Sequence, residues 1–292
     1  MKRHFLVYAT TVMLALSTLT SLNAQENDYT GSCECSCGYD CDCGEYCDCE
    51  EEKKCFQVLR NNLYFGPDIY HVKRLRHGGS QQSGVLYGFR TGYDRIKRYN
   101  FYVGIEGAWA SGDLSGSSSS GTLLKSTLTD AEVEGRFGYT IGTKHACRAT
   151  LTPFVGAGYF CQTNKFHAPT PITLHFKESF KYAVVGFISN IYVRPCLSVG
   201  LNFKAKFVYD PESHISNDPD FDDVNIHFGE KTQYEVDLPI TYYFDLCNQC
   251  LTVSAVPFYI YRHYGALAGF PFDFLETKYI NYGGRLLLGI QF

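Results

Sequence analysis

From residue 63 to residue 292 the chain repeats one pattern: apolar side chains at every second position, closed by turn-forming residues. In a strand successive side chains point to opposite faces, so each such run has an oily face and a second face of different character. The clearest is 196–209, with Leu197, Val199, Leu201, Phe203, Ala205, Phe207 and Tyr209 against Ser198, Asn202, Lys204 and Lys206. About ten such runs can be placed, at 63–76, 85–94, 99–110, 127–141, 149–161, 178–189, 196–209, 231–244, 251–264 and 278–292. The first has imperfect alternation, and in the ninth the faces are ambiguous. Connections alternate between long (77–84, 111–125, a segment before 178, 210–230, a segment before 278) and short. An even count of antiparallel strands with that alternation is the pattern of a closed transmembrane barrel. A soluble β-sandwich is the competing architecture, but it has no reason to keep its long loops at one end.

Composition agrees. The chain has 23 Tyr, 22 Phe and 27 Gly among 292 residues, with one Trp and two Met. That mixture disfavours helix and favours twisted sheet. The formal net charge of −4 and the absence of basic runs give no basis for nucleic-acid binding.

Residues 1–24 read as a secretory signal peptide: Lys2 and Arg3, then an apolar stretch, then a small residue, Ala24, before the expected cut. No apolar run in the remainder is long enough for a membrane helix. If the mature protein is embedded in lipid it must therefore be a closed barrel, which pairs every strand's backbone groups.

The last run, KYINYGGRLLLGIQF, sets Ile280, Tyr282, Leu286, Leu288, Ile290 and Phe292 against Asn281, Gly283, Arg285, Leu287, Gly289 and Gln291. On Tyr282, Leu286, Leu288, Ile290 and Phe292 the chain resembles the bacterial outer-membrane β-barrels. Their closing strand alternates this way and typically ends on Phe. The resemblance implies an all-β, antiparallel up-and-down barrel of about ten strands (residues 56–292), porin-like in character. Its partners would be outer-membrane lipid and the barrel-insertion machinery, with those five residues as the insertion signal.

Between the signal and the barrel, 25–55 is a cysteine-rich extension. Cys33, Cys35, Cys37, Cys41, Cys43, Cys47, Cys49 and Cys55 are separated mostly by Asp, Glu and Gly, so burial cannot fold the segment. Three readings stand. Beyond a signal peptide the compartment is oxidising, and thiols would form disulfides, including bridges to other envelope proteins. C-x-C repeats also suit a soft metal ion. The third is an unstructured tail. Cys147, Cys196, Cys247 and Cys250 fall in or beside short turns, so the topology puts them at the periplasmic rim, while Cys161 belongs near the other end. A barrel with a thiol-rich rim is similar to the major envelope proteins of chlamydia-like bacteria, whose outer membranes are held together by disulfides.

The polar faces offer Arg90, Glu106, Glu132, Glu134, Arg136, Lys204, Lys206, Glu235, Asp237 and Arg285, with Asp94, to the lumen. A barrel of this size is only slightly wider than one that side chains fill, so these charges are expected to pair across it, with a narrow pore as the alternative. No enzyme motif is present: no phosphate loop, nucleophile elbow or H-E-x-x-H. An outer-membrane protease of the omptin family, which has a similar size, is the enzymatic alternative; it would use Asp and His at the outer rim, and Asp113, Asp210 and His214 are the residues available.

Overall fold

The computed structural model describes residues 61–142, 149–171, 173–194, 196–218, 222–246, 249–268 and 274–292. The expected signal peptide, the extension 25–55, Cys147 and Cys247 lie outside them. The described residues form strands β1 (Asn62–Arg76), β2 (Ser80–Arg95), β3 (Asn100–Ser117), β4 (Leu123–Gly142), β5 (Ala149–Phe166), β6 (His175–Arg194), β7 (Leu197–Ser216), β8 (Val224–His227), β9 (Thr232–Asp237), β10 (Ile240–Leu246), β11 (Gln249–Tyr264) and β12 (Thr277–Gln291).

Each strand from β1 to β7 pairs antiparallel with the next, and β12 pairs with β1. β9 and β10 are two halves of one stave, interrupted at Leu238 and Pro239. Both halves pair with β7 on one side and β11 on the other. With β8 set aside as a short addition to β7, ten staves close a ring. Closure leaves no free edge, which is what a sheet in lipid requires.

Two faces follow from the pleat. On the exterior, Leu286, Leu288 and Ile290 of β12 and Phe292 just past it are exposed, as are Phe101, Ile105 and Trp109 of β3 and Leu201 and Tyr209 of β7. Aromatic residues mark both margins of this band. Phe101, Phe137, Tyr242 and Phe292 stand toward the short-turn end, and Trp109, Tyr159, Tyr209 and Tyr282 toward the other, which we call the loop end. Along the last stave the ten residue steps from Tyr282 to Phe292, at roughly 3.4 Å each and a tilt of ~40°, span about 25 Å, the height of a membrane barrel's apolar belt. No helix among the described residues is long and apolar enough to cross a membrane.

Several strands run far past that belt. β4, β6 and β7 have 20 residues each, and β3 and β5 have 18, where roughly 9–11 suffice to span a bilayer. The segment expected as a loop at 111–125 is therefore mostly strand, with only 118–122 between β3 and β4. Beyond the belt the alternation inverts. Leu114, Leu128, Phe166, Phe176 and Ile215 point inward and are buried, while the outward positions carry residues such as Asp113, Thr127, Lys165 and Lys177. The exterior solvent there is water, so the oily side chains turn to the lumen. Sequence reading that followed an oily exterior stopped where the phase changed.

The expected strict alternation of long and short connections also breaks down at the loop end, where 118–122 is barely longer than the short connection 96–99. β1 and β2 are joined at the loop end by only three residues, 77–79. Gly78 and Gly79 both have φ of 89°, a left-handed region that other residues rarely adopt and that tight hairpins require. The expected acidic loop 210–230 is partly ordered too: 210–216 belongs to β7, and 224–227 is β8. Just past β8, Phe228 is buried against Phe274 (ring centroids 4.7 Å) and Tyr264 (5.0 Å), capping the loop end of the lumen.

A charge-filled lumen as the candidate functional site

Inward positions near mid-height carry charge on almost every stave. Arg90 of β2 holds Asp68 of β1 at 3.2 Å and Glu106 of β3 at 2.5 Å. Arg136 of β4 lies 3.5 Å from Asp94 and 3.7 Å from both Glu106 and Glu134. Lys204 of β7 crosses the lumen to Glu106 (3.2 Å) and Glu134 (3.1 Å), and lies 3.8 Å from Glu235 of β9. Lys206 reaches Glu132 (2.5 Å) and Glu235 (3.0 Å). Arg285 of β12 binds Glu235 and Asp237, both at 3.0 Å. Arg262 of β11 crosses to Asp130 of β4 at 2.6 Å.

The structure thus brings Arg90, Glu106, Glu132, Glu134, Arg136, Lys204, Lys206, Glu235, Asp237 and Arg285 into one network. Sequence reasoning missed Asp68, which sits in the imperfect first run, and Arg262, in the ambiguous ninth. It also missed the inward Tyr64 and Tyr182. Tyr64 donates to Glu106 (2.9 Å), Tyr102 to Asp94 (2.6 Å), and Tyr182 to Glu132 (2.5 Å) and Glu134 (3.0 Å). Tyrosine reads as oily in a periodicity count, although its hydroxyl serves a buried carboxylate well.

Toward the loop end the interior becomes apolar, with Leu86, Leu114, Leu128, Phe160, Phe180 and Tyr264 all almost fully buried. The guanidinium of Arg262 stacks over Phe160 at 4.2 Å, joining the two zones. Toward the short turns a cavity of about 120 Å³ remains, lined by Asn62, Asp94, Asn202 and Arg285 among others. That is room for a few waters. At mid-height the lumen is bridged by salt links from wall to wall.

With that geometry in view, a comparison with solved structures is informative. The outer membrane protease OmpT from Escherichia coli superposes with a TM-score of 0.52 at 13% identity, covering 80% of this chain and 96% of that one. The fold is that of an outer-membrane β-barrel. The transport unit of the autotransporter AIDA-I from Escherichia coli (TM-score 0.41, 13% identity, 85% of this chain and 93% of that one) aligns more loosely. So does the translocator domain of the autotransporter NalP from Neisseria meningitidis (0.44, 10%, 80% and 88%). No family model matches the chain, and no curated protein does.

The barrel places the remaining expected residues as follows. Tyr282, Leu286, Leu288, Ile290 and Phe292 lie on its exterior. Cys196 lies at the turn between β6 and β7. Cys250, near the same end, is buried against Tyr192 and Tyr243. Cys161 is half-buried, with an unpaired thiol. The residues of the enzymatic alternative do not converge on a cleft. Asp210 pairs with Lys181 at 3.0 Å with both side chains largely exposed, His214 bonds Asn225 at 2.7 Å, and Asp113 accepts from Thr127 at 2.7 Å.

Proposed function

We propose that the protein is a structural barrel of a bacterial outer membrane, its lumen held shut by ion pairs and its short-turn end facing the periplasm. The observation that carries this is Lys204, buried and bridging from β7 to carboxylates on β3, β4 and β9. A lumen tied across its width resists both solute passage and collapse of the staves. The reading supposes a signal peptide at 1–24 and no catalytic role.

In the same proposal the extension with Cys33 to Cys55 works at the periplasmic rim beside Cys147, Cys196, Cys247 and Cys250. It joins the barrel to other envelope proteins through disulfides, as in the chlamydia-type envelopes it resembles. A soft metal ion on the C-x-C pairs is the second reading, favoured by their spacing.

Two experiments test this. In planar bilayers the purified protein should give no large, stable conductance steps; a large and weakly selective conductance would establish a porin instead. In envelope preparations the chain should run in high-mass assemblies that a reductant dissolves. Fully reactive thiols in the unreduced protein, with no metal bound, would remove both the cross-linking and the metal role.

A further inference from the structure

The mid-lumen cations each have a carboxylate within 4.0 Å. Two cations at the loop end do not. Arg74 and Arg76, the last inward-leaning positions of β1, border a vestibule of about 490 Å³ at the barrel mouth, beyond the apolar belt. Arg74 is 4% exposed and donates from Nη1 to Gln82 Oε1 at 2.9 Å, while its buried Nε has no hydrogen-bond partner. Its guanidinium is held between the rings of Phe166 (5.8 Å) and Tyr279 (5.9 Å). Arg76 lies over Phe176 at 5.8 Å. Burial and the neighbouring Arg74 lower its pKa to about 10.

Among the described residues no carboxylate makes an ion pair with either guanidinium. Glu178 of β6 is the acidic group whose field reaches both, but it stays beyond contact, and its Oε2 is also without a partner. Two neighbouring guanidiniums set against aromatic rings, one with a buried unpartnered Nε and neither with a carboxylate in contact, are costly in a folded protein unless an anion completes them. The remaining wall supplies hydroxyls from Ser118, Ser119 and Ser120 and apolar surface from Phe166 and Phe176. The volume falls within the range of small-molecule sites.

We propose that this vestibule binds a phosphate-type oxyanion, with Arg74 and Arg76 as the anion clamp and the serine loop 118–122 as its hydroxylated rim. Planar guanidinium forks match such oxyanions in geometry as well as charge. The anion can belong to a free solute or to a lipid headgroup, and the two sources separate experimentally.

The full chain, folded in a zwitterionic detergent, is titrated calorimetrically with inorganic pyrophosphate. Saturable binding is expected, weakened by added sodium chloride. Arg76→Gln should reduce the affinity about tenfold, and Arg74→Gln with Arg76→Gln should abolish measurable binding. Arg74→Lys keeps the charge but not the fork and should fall between. Lys181→Gln, on the exterior, should bind as the unaltered chain does. Folding of each variant is checked by its faster gel migration when unheated. Should Arg74 variants fail to fold, Arg76→Gln decides alone, because Arg76 lies at the rim. In a second arm the protein is placed in nanodiscs of phosphatidylcholine with or without phosphatidylglycerol. Thermal stabilisation by phosphatidylglycerol that requires Arg76, without pyrophosphate binding, assigns the site to a headgroup. Absence of saturable binding in both arms, or binding indifferent to both arginines, overturns the proposal whether or not the lumen conducts.

Discussion

Lys204 and Lys181 sit on neighbouring staves and carry the same charge, but their surroundings give them opposite weight. Lys204 is buried among Glu106, Glu134 and Glu235, whereas Lys181 meets only Asp210 in solvent. Removing one partner of a buried charge set leaves the others uncompensated, at a cost of about 3–5 kcal/mol. An exposed pair contributes about 0–1 kcal/mol. Lys204→Met should therefore lower the urea midpoint of the detergent-folded barrel clearly, while Lys181→Met should leave it unchanged; equal effects would mean the mid-lumen is hydrated and its pairs screened. Tyr182 shows what periodicity hides at this scale. Its ring is apolar, yet its hydroxyl donates to both Glu132 and Glu134.

At the scale of the strand, one stave passes through two solvents. In β12 the exterior Leu288 belongs to the apolar belt, and an arginine near mid-depth of a lipid face costs about 2–4 kcal/mol. Leu288→Arg should therefore impair insertion into lipid vesicles. Leu114 of β3 is oily but inward, beyond the belt. Its loss to alanine should cost about 2–5 kcal/mol by leaving a cavity, measured as stability, with vesicle insertion intact. The strand extension has a second readout. Lys125 lies inside the expected loop 111–125 but is paired in β4 with Ser115 of β3. Its backbone N–H also donates to Thr170 Oγ1 at 2.7 Å. Trypsin should leave the Lys125 bond intact in the folded protein and cleave it after boiling; rapid native cleavage would restore the loop.

Taken whole, the barrel is a ring of walls braced from inside. Lys204 and Lys206 together pair with Glu106, Glu132, Glu134 and Glu235 from one stave. Replacing both by Met removes two cations and leaves these carboxylates only partly balanced by Arg90, Arg136 and Arg285, and water with cations should enter to screen the excess negative charge. The double variant should either fail to refold or conduct with cation selectivity, read from the reversal potential in a salt gradient. Anion selectivity or unchanged silence with full stability would show that these lysines do not hold the lumen shut.

The amino-acid sequence by itself determined the all-β class, about ten staves, and, in the runs that alternate cleanly, which side chains face outward within the belt. There the physics is local: lipid on one side and a packed lumen on the other impose a period of two that strands such as 196–209 display openly. It also named eleven of the charges that meet inside, because a charge opposite an oily face has nowhere else to go. The tertiary structure alone decided how those charges pair, since Arg262 and Asp130 are 132 residues apart in the chain and meet only when the ring closes. It also decided where the strands end. Past the belt the oily face turns inward, and a Ser- and Gly-rich segment such as 111–117 is held as strand by its partners rather than by its own pattern. The arginine pair at the mouth belongs to the same class. Arg74 and Arg76 close a run whose alternation had already faded, and the cavity they border exists only because β1, β4, β5 and β6 share one barrel mouth.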